Sequence, residues 1–160
     1  MNTEVHAYFD RYETTIEGLF SLAIIEDGKA RKLFERLPAR SGQRGHTQTN
    51  WTRGKSPIPF GHHKLLLKPV APETWPNATG IGEFYPIFSQ EPNHRLIVNK
   101  ADSSLERVDI GLHPENALPG SAGCVVLLVD TPERKATVAA LFKFLRLLGA
   151  IRDTIPFTVL

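Results

Sequence analysis

Cys124 is the single cysteine of a 160-residue chain, and His113 lies upstream of it across a turn-rich stretch that contains Pro114, Pro119, Gly120, Ser121 and Gly123. A thiol with an imidazole beside it is a nucleophile with its own base, because the thiolate attacks and the imidazole generates it near neutral pH. His113 closes one expected strand, and Cys124 heads another, the continuous apolar run from Cys124 to Val129. Side by side, two such strands bring the ring and the sulfur together. Gly123 has a mechanical use: without a side chain, the backbone is free to turn its N–H, with that of Cys124, toward a developing oxyanion. Ser121 would orient the loop or touch substrate.

The same residues also fit a second description. A lone cysteine at the head of an apolar strand is often a small buried hydrophobe, with His113 a satisfied strand-end histidine and Gly123 only a turn. The local pattern leaves both descriptions open. One cysteine excludes an intramolecular disulfide and a Cys-rich zinc ribbon. His62 and His63 are adjacent, so on a strand they point to opposite faces and do not share a metal. His6, His46 and His94 show no ligand spacing, which leaves a zinc site of His94, His113 and Cys124 as the metal alternative. The reading taken is that there is no metal and no cofactor.

The elements that must position these residues are mostly strands. Val5 to Asp10, Ile16 to Ile25 and Ala30 to Leu37 alternate polar and apolar residues, and the Asp27-Gly28 pair between the last two predicts a tight hairpin. Residues 38 to 62 are rich in Pro, Gly and Ser and read as a long loop. Leu65 to Leu67, Phe84 to Ser89, His94 to Asn99 and Ile155 to Leu160 read as further strands, with Pro86 confining its strand to an edge or a bulge. Thr131 and Pro132 open a helix whose Val138, Leu141, Phe142, Leu145 and Leu148 form one apolar face, and Gly149 is its expected stop. The sum is a single mostly β domain over residues 1–160, a barrel or sandwich of seven or eight strands with one helix packed on it.

Composition excludes several classes. Nineteen basic and 17 acidic residues, spread along the chain, leave a net charge of +2, so no nucleic-acid partner is implied. No apolar run approaches the roughly 18 residues of a membrane span, and no export signal is read at the N-terminus.

Two motifs in order give the chain a likeness. Ser121, Ala122, Gly123 and Cys124 match a Ser-x-Gly-Cys sequence, His113 matches a histidine upstream of it, and Pro57-Ile58-Pro59-Phe60-Gly61 matches a turn leading into a strand. In this the chain resembles the L,D-transpeptidase (YkuD-like) family of peptidoglycan enzymes, over roughly residues 16 to 160. It is most similar to a short branch among type VI secretion effectors and phage or prophage lysis proteins. The resemblance implies that Cys124 attacks a peptidoglycan stem peptide, that His113 moves the protons and that a carbonyl at or near Pro114 orients it. It also implies action in the periplasm or cell wall after delivery by a secretion system or phage lysis, with an immunity or secretion partner. Trp51, Arg53 and Lys55, near the Pro-Ile-Pro turn, would contact the anionic stem, although Trp51 fits loop packing equally well. Ala122 and Val126 stand where many members have histidine and arginine, so those two roles do not carry over. That departure keeps open a non-catalytic wall-binding or phage structural module with the same fold.

Overall fold

The computed structural model describes residues 3–12, 16–43, 56–69, 84–89, 96–99, 101–102, 104–115 and 123–160. Its first strands, β1 (Thr3–Arg11), β2 (Glu17–Glu26) and β3 (Lys29–Ser41), form an antiparallel meander. Asp27 and Gly28 make the β2–β3 turn with φ of 50° and 77°, the pair of positive values that a type I′ hairpin requires. The expected loop begins later than residue 38, because β3 continues through Ser41. Pro38 is tolerated there since the barrel uses only its carbonyl, which accepts from the Leu128 N–H at 3.0 Å.

The remaining elements are β4 (Gly61–Leu66), β5 (Tyr85–Phe88), β6 (Leu96–Val98), β7 (Glu106–Val108), β8 (Gly111–Pro114), β9 (Val125–Leu127), the helix α1 (Pro132–Gly149) and β10 (Thr154–Val159). Eight strands close a barrel in the order β1-β10-β4-β5-β8-β9-β3-β2, and β6 with β7 forms a separate two-stranded ribbon. The mostly β expectation holds, as a closed barrel. The described residues hold ten strands against the seven or eight expected; among them β7, only three residues long, is too brief to show a period. No helix among them is long and apolar enough to cross a membrane.

Strand alternation places Val5, Ala7 and Phe9 of β1, Leu112 of β8 and Val125 and Leu127 of β9 in one core cluster. The five buried residues of α1 join that cluster, and Phe142 stacks on Tyr85 of β5 with ring centroids 5.7 Å apart. The helix therefore packs against inward-facing residues of the barrel. Thr131 caps it by accepting from the Arg134 N–H at 3.2 Å, which satisfies one of the orphan donors of the first turn. Gly149 is not the stop: it is the last helical residue, and Ala150 is the cap. A Cβ on Gly149 would come within 2.6 Å of the Leu67 carbonyl, so glycine is needed there for close approach.

Pro86 is also a correction, since β5 lies between β4 and β8 and is not at an edge. Ile87 donates to Ile110 O at 2.8 Å on the β8 side. Successive amides point to opposite sides of a strand, so the nitrogen of Pro86 faces β4, which pairs only with Ile87 and Phe88. The missing N–H falls where the ladder has already stopped.

Candidate active site

β8 and β9 are parallel neighbours, with Leu112 opposite Val125 and His113 opposite Val126. Leu112 and Val125 face the barrel core. By alternation His113, Val126 and Cys124 face the other way, on one surface of the two strands. Cys124 and Val126 cluster with Phe84 apart from the main core. The Phe84 ring stacks on His113 at 5.8 Å between centroids and lies over Gly111, where any Cβ would collide with it. Cys124 is 1% exposed and His113 2%. Val126 is thus buried and apolar opposite the histidine.

The imidazole is held through Nδ1, which lies 2.7 Å from Pro114 O. A carbonyl only accepts, so Nδ1 carries the proton and Nε2 carries the lone pair of the neutral ring. The thiol donates to Asp109 O at 3.7 Å, and the Gly111 N–H and the Cys124 N–H both turn toward the sulfur. Burial pushes the thiol up to about 12, against the pull of those amides and of Arg107. Burial likewise pushes His113 down to about 4, against its bond to Pro114 O. Both groups are therefore neutral at pH 7.

The peptide joining Gly123 to Cys124 is fixed from behind. Ser41 Oγ donates to Gly123 O at 2.9 Å and accepts from the Ile58 N–H at 2.8 Å. Gly123 itself has φ of 109°, a conformation open essentially to glycine. The Pro-Ile-Pro segment behind it is tied by other side chains: Arg107 donates to Ser56 O at 2.5 Å and Pro57 O at 2.9 Å, Arg11 to Ile58 O at 3.1 Å, and His63 Nε2 to Pro59 O at 2.8 Å. The turn recognised in the sequence therefore serves as an anchored wall behind Gly123. His62 and His63 do face opposite sides, one exposed and one buried.

A cavity of about 320 Å³ opens beside the same turn, lined by Pro59, Phe60, His62, His63, Ser89 and Asn99 among others. Neither Cys124 nor His113 lines it. Of the residues singled out from sequence, the register sets Cys124 and His113 on one face of β8 and β9, with Gly123 next to Cys124 in the chain. Ser121, Trp51, Arg53 and Lys55 lie outside the described residues, as does His94. Sequence reasoning missed Ser41, Phe84, Arg107 and Gly111, which reach the site from β3, the residue before β5, β7 and β8 and carry no local spacing signal. Comparison of the chain with protein-family models, with curated proteins and with solved structures gave no match. The functional reading therefore rests on the geometry of this site and on the motif order in the sequence.

Proposed function

We propose that the chain is a cysteine enzyme of L,D-transpeptidase-like architecture that acts on peptidoglycan stem peptides. The observation that carries this reading is the parallel register that sets His113 and Cys124 on one face, with Nδ1 pinned to Pro114 O and Nε2 left basic. Because both groups rest neutral, the proton leaves sulfur as attack proceeds, passing from Sγ to Nε2 rather than from a preformed thiolate. The sulfur bonds to the carbonyl carbon of the L,D-linked peptide, and the N–H groups of Gly123 and Cys124 hold the oxyanion. The amine leaves with the proton carried by His113, and a thioester remains on Cys124. Water resolves it as a carboxypeptidase or endopeptidase would, and an amine from a second stem or a D-amino acid resolves it by exchange. With valine at 126, no cation from β9 helps to seat an acceptor stem, and hydrolysis is the favoured outcome.

The test is mass spectrometry of purified tetrapeptide muropeptides incubated with the protein. Tripeptide products that vanish in Cys124→Ala and fall by about 10²-fold in His113→Gln are expected. Full turnover in Cys124→Ala would end the proposal. In a Gram-negative host the expected toxicity appears only when the chain carries an added periplasmic export signal and an intact Cys124.

The depth of Cys124 favours one other reading, a non-catalytic wall-binding or phage structural module in which the thiol is core packing. Intact-mass measurement after incubation with a carbapenem, which acylates the cysteine in many members of the resembled family, separates the two. A stoichiometric adduct on Cys124 supports the enzyme, whereas no adduct and no muropeptide turnover favours the module.

A further inference from the structure

Arg107 is the one residue of β7 that is buried, between exposed Glu106 and half-buried Val108. At 1% exposure it is the largest fully buried side chain among the described residues. Taking a guanidinium out of water is costly unless its donors are met. Ser56 O and Pro57 O meet two of them and fix the plane of the group. Its Nη2 lies so close to Gly123 that a side chain there would strike it. The next residue is Cys124. A buried cation and a glycine held at φ 109° thus coincide at one point of the fold, directly beside the thiol.

We propose that Arg107 is the fixed positive charge that stabilises negative charge developing at Cys124 and at the carbonyl it attacks. It acts across Gly123 and touches no substrate, so it is a positioning residue. A charge held rigidly in a dry site costs no reorganisation when the reaction begins, the condition under which electrostatic stabilisation is largest. The guanidinium is lowered to about 10, chiefly by burial, and so remains protonated at neutral pH. The charged groups acting on the sulfur from the elements around it are Arg107 on β7 and Asp109 in the turn after it, and His113 shares its face two register positions away on β8. Asp109 opposes the thiolate and neutral His113 leaves it uncompensated. Arg107 is therefore the favourable charge in the set.

This inference rests on the enzymatic reading, but its test needs no substrate. The rate of alkylation of Cys124 by iodoacetamide is measured from pH 7 to 10 in the full chain, in Arg107→Gln and in Arg107→Lys. In that range the rate follows the thiolate fraction, so each unit of rise in the thiol pKa lowers it about tenfold at every pH. Arg107→Gln is expected to lower the whole profile by tenfold or more, and Arg107→Lys, which keeps the charge but not the two-carbonyl fork, to lower it by less than tenfold. In muropeptide turnover, kcat should fall with KM unchanged, since the charge appears only beyond the ground state. A folded Arg107→Gln whose alkylation profile overlies the parent would overturn the inference. Should Arg107→Gln not fold, Arg107→Lys decides alone: alkylation within tenfold of the parent supports the role of charge, and a larger loss removes it. A shifted profile with no turnover in any protein sinks the enzymatic reading and leaves Arg107 standing. Turnover that needs Cys124 but ignores Arg107 does the reverse.

Discussion

Ser41 Oγ donates to the carbonyl oxygen of Gly123 at 2.9 Å, and that one bond aims the amide of Cys124. In a trans peptide the C=O and the following N–H are antiparallel. Holding the carbonyl on the Ser41 side turns the Cys124 N–H to the other side, toward its own sulfur. The two residues are 82 positions apart in the chain, so the aim of this amide depends on β3 lying beside β9.

Ser41→Ala strips the Gly123 carbonyl of its donor and the Ile58 N–H of its acceptor, both in the interior. Each buried group left unmet costs about 1–3 kcal/mol. Urea unfolding should show a loss of roughly 2–6 kcal/mol, given that two groups are affected. Muropeptide kcat should fall about 10²-fold, the scale of a misplaced oxyanion donor. Ser41→Thr keeps the hydroxyl and should retain most of the activity. A kcat unchanged in Ser41→Ala would detach this serine from the oxyanion.

His113 makes stability depend on pH with a defined sign. Its folded value lies at about 4, below the ordinary 6.5, so between those values the unfolded chain binds the proton that the native ring refuses. Stability is fully present above about 6.5 and is lost as pH falls toward 4, by up to roughly 3 kcal/mol. Urea midpoints at pH 7 and pH 4.5 should separate in the parent and lie closer together in His113→Gln. Cys124, pushed up to about 12, acts in the opposite direction: its contribution is lost as pH rises above 9. An acid limb equal in parent and His113→Gln would place the titration elsewhere.

Phe84 covers the thiol and the ring on the outer face of β8. Phe84→Ala should raise iodoacetamide alkylation of Cys124 at pH 8 by tenfold or more while lowering stability by about 3 kcal/mol, the usual cost of deleting a buried aromatic side chain. Intact-mass kinetics give the first number and thermal unfolding the second. A slower or unchanged alkylation would show that Phe84 does not limit access.

Much of the frame was legible where the signal is local. Asp27 and Gly28 announced their turn, and Thr131, Pro132 and the apolar spacing of α1 announced the helix, because each is decided by neighbours within a few residues. That the strands ending in His113 and opening at Cys124 lie side by side was legible as well, with only a short stretch of sequence between them, although the register sets His113 opposite Val126. Pro38 and Pro86 misled, since what a proline costs depends on which side of the strand its missing N–H would face, and that is set by partners far away. Ser41 and Arg107 were invisible. A serine ending a strand and an arginine within a three-residue ribbon carry no mark of the carbonyls that they reach.

Gly123→Ala should be among the most damaging single changes in the described residues. The new methyl meets Arg107 Nη2, Ile110 Cδ1 at 2.8 Å and Ser56 O at 3.0 Å, at a φ of 109°. Backbone strain and collision together should cost about 3 kcal/mol or more. The double change with Arg107→Lys removes the guanidinium from the collision but not the strain, and should recover part of that loss through coupling between touching residues. Equilibrium unfolding of the two singles and the double measures it. Strict additivity would mean that the methyl and the guanidinium never meet.

The barrel is sealed by β10, which runs parallel to β1 on one side and antiparallel to β4 on the other, with Ala7 paired to Phe157 and Leu65 to Ile155. During synthesis the meander of β1, β2 and β3 emerges long before its closing strand. Ribosomes add about 5–20 residues per second, so for several seconds β1 and β4 offer bare edges to any passing strand. Such edges template pairing between chains. Nascent copies are therefore prone to stick to one another until β10 closes the seam.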